Sequence, residues 1–441
     1  MQKPNEDYTT TYSPVVRYST LRFLFALASR YKFMMFHLDV ETAFLNGEID
    51  EEIYVYQPAP FVNQKAKEKV LKLHKALYGL KQSSHKWNQK LIEILNSLNF
   101  KQLQSDNCVF TNEVENQQLI KASYVDDLII LTNSLSLKNK LIHQLREHVT
   151  IRDLGELKFF LNINIDYNKN AGDIAISQTN YIIEILKRFD METCNNLNTP
   201  LEPSLKLTKA KTKEAVTKSR FQYQEAVGCI LYLSQTTRPD LAFAATTLSR
   251  FNSCYNKHHV KAVRHVLKYL QGTKDLKLTL TDQVKTLVRY SDSNLADGIK
   301  DKKSTAGYIF FLYGFPVSWS SKRQSCVSGS TCQAEYLAMS RASKEAITLR
   351  NLAIELDYII NQQPTKIYGD NKPAVDYSND QNSGKNLRHI ALKYHEIKDF
   401  IKKRLIITIQ ISTDQMIADI FTKALPGPKH EFCVSSMGLR K

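Results

Sequence analysis

The sequence predicts a multidomain chain of mixed α+β and α/β architecture, and three observations predict it. An apolar, β-branched run, KASYVDDLIILT, is broken at its centre by the adjacent carboxylates Asp126 and Asp127, the pattern of two strands joined by a tight hairpin. A Lys-rich stretch with two prolines and no apolar period, Asn195 to Arg220, separates the front of the chain from the back. From about Val284 the order of elements changes to three successive strands followed by one long helix. With 441 residues, 43% of them hydrophobic, the chain is long enough for two or three domains with cores of their own.

Taken in order, residues 1 to 13 are polar and without pattern. Leu21, Leu24, Phe25, Leu27 and Ala28 recur at helical spacing, so Val15 to Tyr31 reads as an amphipathic helix. Phe33 to Val40 reads as a strand that delivers Asp39 near its end. Ile53 to Tyr56 alternates as a strand stopped by Pro58 and Pro60, and Val70 to Leu73 is short and apolar. Gly79 marks a turn that leads into a helix, Lys86 to Leu98. Cys108 to Thr111 and Gln118 to Ala122 pair across the polar turn Asn112 to Asn116, and the strands Lys121 to Val125 and Leu128 to Thr132 follow. A helix from Leu135 to Val149, a hairpin of Leu157 to Asp166 with Ile174 to Ser177, and a helix from Gln178 to Phe189 complete the front. Behind the Lys-rich stretch come helices at Tyr223 to Gln235 and at Pro239 to Leu270, the second broken near Asn256. The back holds strands at Thr286 to Ser291, Ala306 to Phe311 and Pro316 to Ser320, then a helix from Gln333 to Asp357. A strand from Thr365 to Gly369, a basic helix from Leu387 to Lys403, a strand from Leu405 to Ile411 and a last helix from near Asp414 end the chain.

Two sets of acids stand out. Adjacent carboxylates are costly to hold together unless a cation neutralises them, which a hard divalent ion such as Mg²⁺ does through oxygen ligands. Asp126-Asp127 equally makes a polar hairpin turn, but Asp39 at the end of an upstream strand supplies a third acid. In the back half, Asp292 ends a strand, Glu335 lies in the first turn of the long helix, Asp370 ends a strand and Asp419 lies in the last helix. Brought together, these four would hold two Mg²⁺ ions roughly 3.5–4 Å apart. Singly, Glu335 is also explained as a favourable charge in a first helical turn and Asp370 as a helix cap. His389 and His395 fall near the last strand, where packing or surface roles compete with assistance to product release.

Composition narrows the partners. A formal net charge of +16 favours polyanions, nucleic acid first among them, against the plainer reading of solvated lysines. Seven scattered cysteines, an odd number with no C-x-x-C pair, argue for reduced thiols inside a cell and against a disulfide frame or zinc site. The polar start lacks the apolar core of a signal peptide. No stretch reaches the ~18 apolar residues of a membrane span, so no membrane partner is expected.

The strings SPVVRYSTLRFLFALA, LDVETAFLNGEIDEEIYVYQP, LHKALYGLKQSSHKWN, YVDDLIILT and DLGELKFFLNINI occur in that order. In that order they resemble the Pol polyprotein of copia-type LTR retrotransposons, and the likeness runs from about Asp7 to the C-terminus. The resemblance implies a palm-and-fingers reverse transcriptase domain in residues 1–194, with partial fingers, palm and the start of the thumb. A linker at 195–220, a helical connection at 221–283, an RNase H-like domain at 284–425 and a C-terminal tail at 426–441 would follow. It implies an RNA-directed DNA polymerase with ribonuclease H activity, two Mg²⁺ ions at each site. Asp39 and Asp126 would bridge the ions of the first site with Asp127 beside them, and the Val40 carbonyl would complete one coordination sphere. Phe44 matches the steric gate that selects deoxynucleotides, although a core aromatic reads the same way. Gly79 to Gln82 would lie against template and incoming base, with Tyr124 also at the nucleotide, and Phe159 to Asn162 falls at the primer-grip turn. Asp292, Glu335, Asp370 and Asp419 would hold the ions of the ribonuclease site. The string RPDLAFAATTLSRF resembles the connection region, where packing is its main role.

Implied partners are RNA template, DNA primer, RNA–DNA hybrid and deoxynucleoside triphosphates, with the integrase or particle protein of the same element as further candidates in DNA integration. The implied location is intracellular, cytoplasmic within a particle, and nuclear as well. The chain departs from the family pattern at several places. LYGLKQ continues with Ser83-Ser84-His85 where Ala-Pro-Arg is usual, Asn162 replaces a glycine, and Asn294-Leu295 replace an acidic residue and a tryptophan. The basic fingers segment that precedes SPVVR in the family is missing, so the expectation is the back portion of a Pol polyprotein, a fragment or the remnant of a degraded element. Two competing readings stay open: an enzyme with ribonuclease H activity alone, and a non-catalytic, basic nucleic-acid-binding remnant.

Overall fold

A computed structural model describes residues 2, 8, 10–114, 117–210, 221–281, 287–295, 302–358, 363–379 and 396–441. His389, His395, the front of the expected Leu387–Lys403 helix, Thr286 and residues 211–220 of the expected linker lie outside the described residues. The chain forms two compact units, residues 1–17 with 32–157, and residues 18–31 with 158–441.

The first unit is built on a six-stranded antiparallel sheet. Its order is Lys101–Gln102, Val109–Val114, Gln117–Tyr124, Asp127–Thr132, Met34–Val40 and Ile151–Glu156. Side chains alternate across a strand, so Phe36, Leu38 and Val40 face one way and His37 and Asp39 the other. The first set packs with Leu128 and Ile130 against Trp87, Leu91 and Leu95 of the helix Ser83–Ser97 and Leu141 and Leu145 of the helix Leu135–Arg146. Burial of these side chains is the main force holding the layers, about 1.5–3 kcal/mol for each large one. The opposite face carries the buried Met35, Ile129 and Leu131 and, toward one end, His37, Asp39 and Asp127.

The second unit joins three parts. One is a five-stranded antiparallel sheet of order Leu439–Arg440, Lys277–Thr279, Asp173–Ser177, Ile163–Asn168 and Phe159–Phe160. Its hairpin turns at Leu161 and Asn162, both with positive φ (48° and 56°), the left-handed pair that a two-residue loop demands. Asn162 tolerates that conformation better than most residues do. A second part is a helical layer of Thr179–Arg188, Tyr223–Thr236, Ala242–Ser249 and Lys257–Thr273 around a shared apolar core. The RPD string belongs here. Arg238 and Asp240, 1% and 0% exposed, form a two-point ion pair (Nε to Oδ1 3.0 Å, Nη2 to Oδ2 2.7 Å). Tyr269 donates to the same carboxylate at 2.7 Å and Arg238 donates to the Thr273 carbonyl at 3.1 Å.

The third part is a five-stranded sheet of order Phe315–Arg323, Thr305–Leu312, Val288–Asn294, Thr365–Gly369 and Ile406–Gln410. The first three strands are antiparallel and the last two join in parallel. The helix Thr331–Glu355 lies on it. Three strands, a long helix and further strands follow one another here in the succession read from the back of the sequence. The expected last helix is different. Residues 413–421 form two 3-10 turns, Thr413–Gln415 and Ile417–Phe421, and an α-helix starts only at Gly427. Pro426 is the N-cap of that helix and Pro428 lies in its first turn, where proline is favoured.

The buried Arg238–Asp240 pair yields a stability prediction. Asp240→Ala strands a buried guanidinium and is expected to cost about 3–5 kcal/mol in urea denaturation. A loss under ~1 kcal/mol, the range of exposed pairs, would refute that role.

Candidate active sites

In the first unit the antiparallel register sets Asp39 directly opposite Asp127. Tyr124 pairs with Asp127, which leaves Val125 and Asp126 as a two-residue turn. Val125 has φ 56°, a strained value for a β-branched residue. Hydrogen bonds hold the turn there: Trp87 Nε1 donates to the Val125 carbonyl at 2.9 Å and the Val40 amide donates to the Asp126 carbonyl at 2.9 Å. Tyr78 Oη lies 3.4 Å from Asp126 Oδ2, and its ring packs on Phe44 with centroids 4.6 Å apart. Burial, and then the charges of Asp127 and Asp39, hold the Asp126 carboxyl above its usual range, against the Tyr78 bond. Asp127 Oδ1 meets His37 Nε2 at 2.6 Å.

The structure thus brings Asp39, Asp126 and Asp127 to one corner, and adds His37 and Tyr78, which sequence reasoning missed. His37 was legible as the residue two before Asp39, on the same strand face. Phe44 lies half-buried in a 3-10 turn, Ala43–Asn46. Gly79 has φ 103°. Gln82 is buried at the start of the helix, its side-chain oxygen accepting from Gln2 at 2.9 Å. Tyr124 is the last residue of its strand.

In the second unit, Asp292, Glu335 and Asp370 each place an oxygen within 4.8 Å of the others. Asp292 comes from the strand Val288–Asn294, Glu335 from the first turns of the helix Thr331–Glu355, and Asp370 from the residue after the strand Thr365–Gly369. The Ser293 amide donates to Glu335 Oε1 at 3.1 Å. Gln324 ties the strand to the helix, donating to Ser293 Oγ at 3.2 Å and to the Ala334 carbonyl at 2.8 Å. Opposite Asp292 the partner residue is Gly307. A Cβ there would lie 2.5 Å from Phe421 Cβ, so glycine allows the Ile417–Phe421 turn to approach the sheet. Thr422 donates its hydroxyl to Asp292 Oδ2. Asp419 is buried beside this group without sharing the 4.8 Å cluster; its oxygens meet Lys423 at 2.6 Å and Lys429 at 3.6 Å.

Burial, and then the Asp419 charge, push the Asp292 carboxyl up to about 7. Glu335 is held well above the usual range by burial and then by Asp292 and Asp370. Burial opposes the charge on Lys423, yet Asp292 and Asp419 raise its pKa. An all-oxygen cluster that resists ionisation until a cation arrives fits a hard divalent ion.

Residues 1–203 match the family described as reverse transcriptase (RNA-dependent DNA polymerase). The chain is 34% identical over 443 residues to the retrovirus-related Pol polyprotein from transposon TNT 1-94 of Nicotiana tabacum, a match covering 99% of this chain and 33% of that protein. It is 31% identical to the corresponding polyprotein from transposon RE1 of Arabidopsis thaliana, covering 100% and 30%. A transposon Ty5-1 protein of Saccharomyces cerevisiae is 32% identical over 314 residues, covering 70% of this chain and all of that protein. The chain spans about a third of the two plant polyproteins.

The raised carboxyls carry a pH prediction. Asp292 ionises more readily unfolded than folded, so its contribution is fully present below about pH 4 and is lost as pH rises through about 7. In chelator, Asp292→Asn should gain on wild type as pH rises across that window, by up to roughly 1.4 kcal/mol per pH unit, read as denaturation midpoints. A constant difference between the two proteins would count against it.

Proposed function

The chain belongs to the reverse transcriptase family of copia-type LTR retrotransposon Pol polyproteins, and we propose that it is an RNA-directed DNA polymerase joined to a ribonuclease H. The observation that carries the reading is the convergence of acids from separate elements: Asp39 against Asp127 beside the Asp126 turn, and Asp292, Glu335 and Asp370 within 4.8 Å. Asp39, Asp126 and Asp127 would hold a pair of Mg²⁺ ions at the first site. Asp292, Glu335 and Asp370, with Asp419 alongside, would hold a pair at the second. Bound there, Mg²⁺ supplies phosphate polarisation, an activated nucleophile and a stabilised leaving oxygen.

The chain's own residues supply position. The Trp87 and Val40 bonds keep Asp126 at the hairpin tip. His37 fixes the Asp127 carboxylate, and the Phe44–Tyr78 pair walls the corner where a deoxyribose would sit. A 2′-hydroxyl would meet that wall, which is selection by shape. At the second site the Ser293 amide and Thr422 hydroxyl orient Glu335 and Asp292, whose oxygens would hold the ions beside the RNA strand of a hybrid. A narrower reading, the nuclease alone, is favoured by one observation. Among the described residues, the Asp292 group alone brings three acids within 4.8 Å.

Primer extension on an RNA template and cleavage of an RNA–DNA hybrid, both in Mg²⁺, test these roles. Asp126→Asn should lower extension by about 10²-fold or more and leave cleavage intact, and Asp292→Asn should do the reverse. Extension that survives Asp126→Asn refutes the polymerase assignment, and cleavage that survives Asp292→Asn refutes the nuclease one. Cleavage without extension in the wild type selects the narrower reading. Where extension occurs, Phe44→Val should reduce discrimination against ribonucleotides by roughly 10–100-fold; unchanged discrimination would make Phe44 a packing residue.

A further inference from the structure

The segment expected to be a free linker is partly packed. Leu201 is 3% exposed, and Leu205 and Leu207 lie on the helical core. The Ala210 amide donates to the Cys254 carbonyl at 3.1 Å. Packed this way, residues 201–207 close one side of a cavity of about 250 Å³. Phe243, Thr247 and Arg250 form another side, and Asn294 and Lys423 form the wall toward the acid cluster. Three cations, Lys206, Arg250 and Lys423, line it against one acid, Glu202, which lies 3.6 Å from His265. Asn294 stands two residues beyond Asp292 on the same strand and the same face. The cavity therefore begins roughly 7 Å from the acid cluster along the strand. Lys423, paired with Asp419, belongs to both places.

We propose that this cavity seats a backbone phosphate of the nucleic-acid strand lying across the Asp292 cluster, with Lys206 and Arg250 as its charged contacts and Asn294 and Thr247 as polar donors. The connector then serves as one jaw of a strand-holding clamp. This rests on the nuclease reading for its substrate, but its test does not depend on cleavage.

The test is fluorescence anisotropy of a labelled RNA–DNA hybrid with the full chain in chelator, across a salt series. Lys206→Glu and Arg250→Glu should each weaken binding several-fold and lower the slope of log affinity against log salt by about 1. Lys206→Arg should retain both. In Mg²⁺, the same variants should raise KM for hybrid cleavage and leave kcat within about twofold, since they remove binding rather than chemistry. Affinity and salt slope unchanged in both charge reversals overturn the proposal, whatever Asp292→Asn does. Binding of inorganic phosphate that depends on Lys206 and Arg250, while hybrid binding does not, assigns the cavity to a free anion and also overturns it. Loss of cleavage in Asp292→Asn with these shifts absent leaves the nuclease standing and removes only the clamp. Circular dichroism and melting of each variant separate misfolding from lost contact, and Lys206→Arg repeats the test on a side chain of equal charge.

Discussion

Carboxylates held closer than their charges favour are the constraint on which the second unit turns. Two unit charges about 4 Å apart at an effective dielectric near 20 repel by about 4 kcal/mol. The fold brings three such groups within 4.8 Å and buries two of them almost completely. Lys423 offsets part of that repulsion, protonation or a bound cation relieves the rest, and the Asp292 carboxyl is accordingly raised. Long-range architecture imposes the arrangement, because the acids come from a central strand, a helix start and the end of a parallel strand. Gly307 lets the Ile417–Phe421 turn reach the sheet, and Gln324 pins strand to helix.

The first unit reaches a similar concentration of charge by another route. Its acids are neighbours through strand register alone, and a two-residue turn sets the third. Strain at Val125 is stored locally and held by the Trp87 and Val40 bonds. Of the three site acids, Asp127, which follows the turn, meets a histidine. The two sites therefore differ in burial more than in chemistry: the Asp126 corner is partly open, whereas Asp292 and Glu335 are enclosed.

Much of this was legible in the sequence, for physical reasons. Strands around Asp126-Asp127 announce themselves by β-branched runs, and the strand Thr365–Gly369 falls where its apolar residues place it. Gln117–Tyr124 and Val109–Val114 pair as their patterns imply. What the pattern hid depends on partners distant in the chain. Lys277–Thr279 and Leu439–Arg440 are two or three residues long and pair across some 160 positions, too short for any period to show. The turns of residues 413–421 carry helix-like composition, yet proline at 426 and 428 and the contact at Gly307 shape them otherwise. Asp419 lies beside Asp292, and its oxygens also meet Lys423 and Lys429, four and ten residues on, ion pairs that no local pattern displays. The leucines of the connector alternate with polar residues in LEPSLKL, a signal that lysine content and two prolines masked.

The connector and the acid cluster make the second unit a continuous surface in which charge changes sign over a short span, from clustered acids to Lys206 and Arg250. A phosphodiester needs both: metal-neutralised oxygens at the reacting bond and cations for its neighbours. The proposed role of the acid cluster is to cage divalent ions. Anomalous diffraction from crystals of the chain with Mn²⁺ and an RNA–DNA hybrid tests it most directly. Two peaks roughly 3.5–4 Å apart, each touching oxygens of Asp292, Glu335 or Asp370, are the predicted result. Crystals that bind hybrid but show no manganese at those oxygens would contradict it.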